Sequence, residues 1–262
     1  MYTLSSIHIY PLKGGRGTTL TSTALDRFGP SGDRRWMLVD PEGQFVTQRQ
    51  LPGLARVAAL PTAEGLRLSY DDVDILEVPF PTSAPREVTI WNDTVGACDA
   101  DDEAAAWFSA RLDRPLRLVY LPDDARRLVN PAYAKAGETV SLADGYPLLL
   151  VSAASLDELN ARLSTSVGLD RFRPNLVVAG CAAHAEDDWQ QLRIGEMTLT
   201  VAKPCDRCTV PALDQRTGER HPELLRALAS YRRAEDRKVY FGQNLLYAGT
   251  GTLHVGDPVH VL

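Results

Sequence analysis

Cysteine is scarce in this chain, which has only Cys98, Cys181, Cys205 and Cys208 among its 262 residues. Four thiols in a chain of this length cannot form a disulfide framework, and free thiols in a reducing compartment fit better. The C-x4-C-x2-C spacing of a plant-type iron–sulfur cluster is absent as well. No apolar run approaches the roughly 20 residues that span a bilayer. The start, Met1-Tyr2-Thr3-Leu4-Ser5, lacks the basic segment and apolar core of a secretion signal. These absences predict a cytoplasmic protein with no membrane partner. Basic charge is in deficit, with 28 Lys and Arg against 34 Asp and Glu, so no nucleic-acid partner is expected. No G-x-G-x-x-G follows a strand, since Gly14-Gly15-Arg16-Gly17 and Gly249-Thr250-Gly251 leave the pattern incomplete. A redox enzyme built this way would take its electrons from another protein. Repeats and low-complexity tracts are lacking too.

What remains is an ordinary globular composition, 44% hydrophobic and 24% charged. Short strand patterns fill the first hundred residues: Leu4–Tyr10, Arg35–Asp40 and Gln44–Gln48 around a Pro41-Glu42-Gly43 turn, Ala55–Leu60, Leu66–Tyr70 and Glu87–Trp91. An amphipathic helix is predicted over Asp101–Leu112. A polar stretch from Leu121 to Ala143 then breaks the pattern. Beyond it lie a short buried strand at Leu148–Val151 and a helix whose capping box is Ser155-Leu156-Asp157-Glu158. A strand at Leu176–Ala179, a hairpin of Gln191–Ile194 with Met197–Ala202, and a helix over Pro222–Arg232 follow. The expected fold is α+β and mainly β, with an N-terminal β-rich domain over residues 1–118 and a barrel-like domain with a few packed helices over residues 119–262.

The chemistry concentrates in Lys203-Pro204-Cys205-Asp206-Arg207-Cys208. Cationic neighbours favour the thiolate, which binds soft metals and attacks electrophiles. Pro204 predicts that the pair sits just beyond a strand end in a fixed turn. C-x-x-C alone leaves three readings open. It could be a redox couple, though no βαβ context surrounds it. It could complete a zinc knuckle with Cys181 and His184 of Cys181-Ala182-Ala183-His184. It could also supply a single metal ligand with a bystander. Cations appear at distant points: Lys13 after Tyr10-Pro11-Leu12, Arg34 in Asp33-Arg34-Arg35-Trp36, and Arg171 and Arg173 in Arg171-Phe172-Arg173-Pro174-Asn175. Guanidinium suits phosphate, although each could equally be a solvated surface charge. Ser152 and Ser155 precede a helix, where Ser155 reads first as its N-cap.

Together these motifs resemble the MOSC superfamily, and within it the mitochondrial amidoxime-reducing component and its bacterial relatives. The resemblance runs nearly end to end. It adds Asp144-Gly145-Tyr146-Pro147, Phe241-Gly242-Gln243-Asn244 and Val255-Gly256-Asp257-Pro258-Val259 to the runs above. It implies a MOSC-associated N-terminal domain, a MOSC β-barrel, and a molybdenum–molybdopterin cofactor held between them. By the same resemblance Cys208 would ligate molybdenum, with Cys205 as its neighbour, and Asp206 and Arg207 would line the cofactor. Asp206 is the candidate proton donor. Lys13, Arg34 and Arg173 would hold the pterin phosphate and ring, with Gly14, Ser152, Ser155, Asn175 and Asn244 as further candidates. Gly14 stands where close relatives carry serine, and Asn244 where some carry tyrosine. The implied activity is reduction of N-hydroxylated small molecules with electrons from an external carrier, either ferredoxin-like or a flavoprotein or haem donor. Two alternatives remain at this point: a cofactor or sulfur carrier using Cys205 and Cys208, and a zinc-stabilised binding module.

Overall fold

Alternating buried and exposed side chains over short segments make this chain mostly strand. The computed structural model describes all 262 residues. The first half contributes β1 (Tyr2–Ile9), β2 (Thr18–Leu20), β3 (Ser22–Leu25), β4 (Trp36–Val39), β5 (Val57–Pro61), β6 (Gly65–Tyr70), β7 (Asp74–Pro79), β8 (Arg86–Ile90), β9 (Asp93–Asp99), helix α1 (Asp102–Leu112) and β10 (Arg117–Tyr120). The second half contributes β11 (Leu148–Ser152), helix α2 (Ala153–Asn160), β12 (Leu176–Ala179), β13 (Gln191–Ile194), β14 (Met197–Asp206), helix α3 (Glu223–Arg232), β15 (Tyr240–Tyr247), β16 (Gly251–His254) and β17 (Pro258–Val261).

Seven strands close into a barrel in the order β12-β11-β15-β14-β13-β17-β1, with β1 returning to pair with β12. Its neighbours run antiparallel except β11 and β12, whose parallel pairing requires the crossover that α2 supplies. Leu4, Ile7, Leu150, Leu176, Leu199 and Leu245 fill the interior at 0% exposure. The N-terminal unit stacks a β4-β10-β9-β8 sheet and a β5-β6-β7 sheet with α1. Its core includes Trp36, Leu38, Leu54 and Phe108. Asp101 caps α1 by accepting from the Ala104 N–H. No helix is long and apolar enough to cross a membrane.

The mainly-β α+β architecture is the one the patterns predicted, and several local expectations change. β1 belongs to the barrel, so the division at 118 and 119 leaves that strand on the other side from the six barrel strands it joins. Gln44–Gln48 forms isolated bridges, Phe45 with Val39 and Gln44 with Thr89, rather than a strand. β14 continues through Pro204 to Asp206 instead of ending at Ala202. Register shifts between Val201 and Lys203 and between Pro204 and Asp206 absorb the proline as bulges. Helix α2 starts earlier than its capping box suggested, because Ser152 is the cap and its Oγ accepts from the Ser155 N–H at 3.1 Å. The polar 121–143 stretch has no helix or strand. Arg127, 4% exposed, holds its end in place by donating to the carbonyls of Ser141 and Ala143 and to Asp93.

Candidate functional site

Main-chain bonds knit the end of β1 to the approach to β4: Arg34 N–H donates to Tyr10 O (2.9 Å) and Lys13 N–H to Trp36 O (2.7 Å). This joint carries Lys13 and Arg34 into a cleft of about 300 Å³ where the barrel meets the N-terminal unit. The volume suits a small-molecule or cofactor site. Lys13, Gly14, Arg34, Arg173, Asn175, Cys205, Asp206, Arg207, Cys208 and Asn244 all line it, gathered from five separate stretches of chain.

Six cations face the cleft, Lys13, Arg34, Arg49, Arg173, Lys203 and Arg207, against two carboxylates, Asp144 and Asp206. The chain as a whole carries a formal charge of −6, so the concentration is local. Lys13 pairs with Asp144 at 2.5 Å, Arg34 with Asp33 at 2.6 Å, and Lys203 with Asp206 at 3.5 Å. Arg49, Arg173 and Arg207 form no ion pair. Burial lowers the Lys13 ammonium below its ordinary value, against the pull of Asp144.

Arg34 and Arg173 flank the Tyr10 ring, with guanidinium carbons 4.3 and 4.2 Å from its centroid. Both arginines have left-handed backbones, φ 46° and 58°. Non-glycine residues in that region are strained and concentrate at functional sites. Arg34 donates to Asn175 Oδ1 (3.2 Å) and to Arg173 O (3.1 Å), and Arg173 donates to Gly15 O (2.6 Å). Burial, with the repulsion of Arg34, lowers the Arg173 guanidinium to about 10. Two like charges held this close favour an anion. Asn175, 2% exposed, also accepts from the Leu149 N–H and donates to His8 O, so it fixes the clamp to two barrel strands.

The two thiols differ. Arg207 donates to Cys205 Sγ at 3.0 Å and to Phe172 O at 2.8 Å, while its buried Nε has no partner. Burial pushes the Cys205 thiol up, with Arg207 opposing. Cys208 is exposed to the cleft, just past the end of β14. The expected position beyond a strand end therefore holds for Cys208, while Cys205 is still within the strand. Asp206 bridges Lys203 at 3.5 Å and Lys238 at 3.7 Å. Asn244 donates to Lys203 O at 3.4 Å.

Ser152 and Ser155 do not line the cleft. Both are 0% exposed, and they bond to each other (2.6 Å) and to Glu186 (Ser152 N–H at 3.0 Å, Ser155 Oγ at 2.8 Å). Their role here is to seat a buried carboxylate. The zinc grouping is not assembled either, because no set of three or more His, Cys, Asp or Glu side chains could hold a metal ion. His184 instead packs edge-on to Tyr231 and Phe241. Sequence reasoning passed over Gln48, Arg49, Trp91 and Tyr146, which the structure adds to the lining, and assigned no role to Asp144. Asp144 and Tyr146 stood in a motif already noted. Arg49 and Trp91 lie in the N-terminal unit, where nothing in their spacing marks them.

The fold and cleft define a MOSC-type protein with its N-terminal partner domain. Residues 1–115 match the MOSC N-terminal beta barrel domain and residues 137–260 the MOSC domain. The chain is 33% identical to mitochondrial amidoxime-reducing component 1 of Homo sapiens, across 99% of this chain and 83% of the relative. It is 32% identical to mitochondrial amidoxime reducing component 2 of Bos taurus, across 98% and 82%. Molybdenum cofactor sulfurase of Oryza sativa subsp. japonica is 32% identical over 93% of this chain, which spans 32% of that protein. The chain belongs to the MOSC family that includes the amidoxime-reducing components.

Proposed function

We propose that the protein is a molybdenum-cofactor-dependent oxidoreductase that reduces N-hydroxylated compounds, such as amidoximes and hydroxylamines, with electrons from a separate carrier protein. The observation that carries this reading is the charge of the cleft. Six cations converge beside an exposed thiol in an acidic chain, and three of the guanidiniums lack a carboxylate. Desolvating such a cluster is costly unless an anion shares the space. The names of the relatives point to the same chemistry.

The residues present fit a molybdopterin. Cys208 offers a soft thiolate donor, and the guanidinium forks of Arg34 and Arg173 match phosphate oxygens. Lys13, Arg34 and Arg173 would hold the phosphate and ring, Arg207 and Asn244 would line the rest, and Cys208 would ligate the metal. The bound cofactor supplies a metal centre that takes oxygen from an N–OH group with two electrons and two protons. Arg207 engages the Cys205 thiol and so leaves Cys208 as the thiol free to act. Asp206, with its side chain 46% exposed and bridged to Lys203 and Lys238, is the carboxylate of the cysteine segment that lines the cleft.

Protein made in a host that synthesises molybdopterin is expected to contain near-stoichiometric molybdenum and little zinc. It should reduce benzamidoxime when supplied with a chemical one-electron donor. Cys208→Ser should remove both metal and activity, and Cys205→Ser should keep most of each. Stoichiometric zinc without molybdenum, or equal losses in the two variants, would overturn the reading.

A further inference from the structure

The turn joining β8 to β9 has two residues, Trp91 and Asn92, because Ile90 pairs with Asp93. Trp91 has φ +55°, in the left-handed region. Hairpin turns fill such positions with glycine, asparagine or aspartate, and a bulky aromatic there is a genuine outlier. Such strain survives where the surroundings hold it, and it gathers at ligand sites. Three contacts hold this one. Phe45 meets the indole obliquely (centroids 4.8 Å apart), the Arg49 guanidinium lies 4.8 Å from the ring, and Nε1 donates to Asp144 Oδ1 at 3.3 Å. Trp91 nevertheless stays 41% exposed and lines the cleft, whereas Trp36, Trp107 and Trp189 are 2, 8 and 7% exposed. A tryptophan kept in a costly backbone conformation, fixed in orientation and left open toward a cleft, is arranged to meet a flat ligand.

We infer that Trp91 selects substrate: its indole stacks on the planar aromatic part of an N-hydroxylated compound, so aryl compounds are preferred over alkyl ones. This rests on the reading of the cleft as an N-reductive site. Tyr146, edge-on to Tyr133 at 6.1 Å, adds a second aromatic surface to the lining. The N-terminal unit thereby contributes directly to specificity.

The test separates binding from turnover. Benzamidoxime and acetamidoxime are added without reductant, and Trp emission is followed with iodide as quencher. Benzamidoxime should quench and shield the exposed tryptophan, and Trp91→Phe should lose that signal while keeping most of the affinity. In Trp91→Gly, the dissociation constant for benzamidoxime should rise about tenfold, the factor that one aromatic contact supplies. The value for acetamidoxime should change less than twofold. Glycine also relieves the backbone, so the melting temperature should hold or rise. A fall in melting temperature with equal weakening of both ligands would make Trp91 a packing residue and overturn the inference, as would absence of shielding in the wild type. If shielding is seen but no molybdenum-dependent turnover, the proposed activity fails while the aromatic platform stands.

Discussion

Removing the Arg34 guanidinium is expected to destabilise the chain through a residue outside the cleft. Asp33 is 1% exposed, and its carboxylate accepts from Arg34 (2.6 Å) and from the Tyr10 N–H (2.8 Å). The Arg34 side chain is 12% exposed, so solvent screens the pair little. Arg34→Met leaves a buried carboxylate with the Tyr10 N–H as its main support, and breaking such a pair typically costs about 3–5 kcal/mol. For a chain of this size that is roughly 6–20 °C of melting temperature. Burial raises the Asp33 carboxyl above its ordinary 3.8, with Arg34 the largest opposing influence. A carboxyl raised in the folded state contributes stability that is fully present below 3.8 and lost as pH rises through the folded value. Without Arg34 that folded value climbs further, so the deficit of the variant should be large at pH 7.5 and shrink toward pH 4.5. Asp33→Asn with Arg34→Met should recover much of the loss, because no buried charge is left alone. Any loss of bound cofactor affects single and double variants alike, so their difference in thermal melts isolates the pair. A drop below about 3 °C, or a double variant no more stable than the single, would refute the reasoning.

Three further outcomes follow from the geometry. A Cβ on Gly14 would lie 2.6 Å from Leu54 Cδ2 at φ +81°, so Gly14→Ser should cost about 1–3 kcal/mol in a thermal melt. Inorganic phosphate should stabilise the fold beyond chloride at equal ionic strength, by about 1.4 kcal/mol at ten times its dissociation constant, and so raise the melting temperature. That gain should vanish in Arg173→Ala and fade at alkaline pH, where the Lys13 ammonium, lowered by burial, loses its proton. Ser155→Ala removes a donor to the fully buried Glu186 and the acceptor of the His184 N–H, each at 2.8 Å. It should cost about 1–3 kcal/mol while leaving catalytic constants unchanged, because Ser155 lies outside the cleft.

Much of this was legible where local chemistry decides structure. Helix α1, the Leu176–Ala179 strand and the Gln191–Ile194 hairpin follow from neighbours in sequence. The basic residues could be named but not gathered, since charge and motif say nothing of which cations converge. Ser152 and Ser155 misled because a helix start looks alike whether it greets a ligand or a buried Glu186. Pro204 misled because the bulges that let β14 pass it depend on β15, and its own partner Gln243 lies 39 positions away. Trp91 was invisible because its φ is set by a turn whose ideal residue it is not.

The position of β1 also sets the order in which the molecule can be completed. Thr3 pairs with Ala179 and Tyr2 with Val259, so the first strand made is held by some of the last. At ribosomal rates of about 5–20 residues per second, β1 waits roughly 10–50 s for its final neighbour. Throughout that time its unpaired edge is open to other chains. Barrel closure therefore joins strands far apart in sequence, and its high contact order makes it slow. The N-terminal unit can condense around its own core well before then. A nascent chain stalled short of β17 would carry a finished first half and an open barrel, the form most exposed to aggregation and to chaperones.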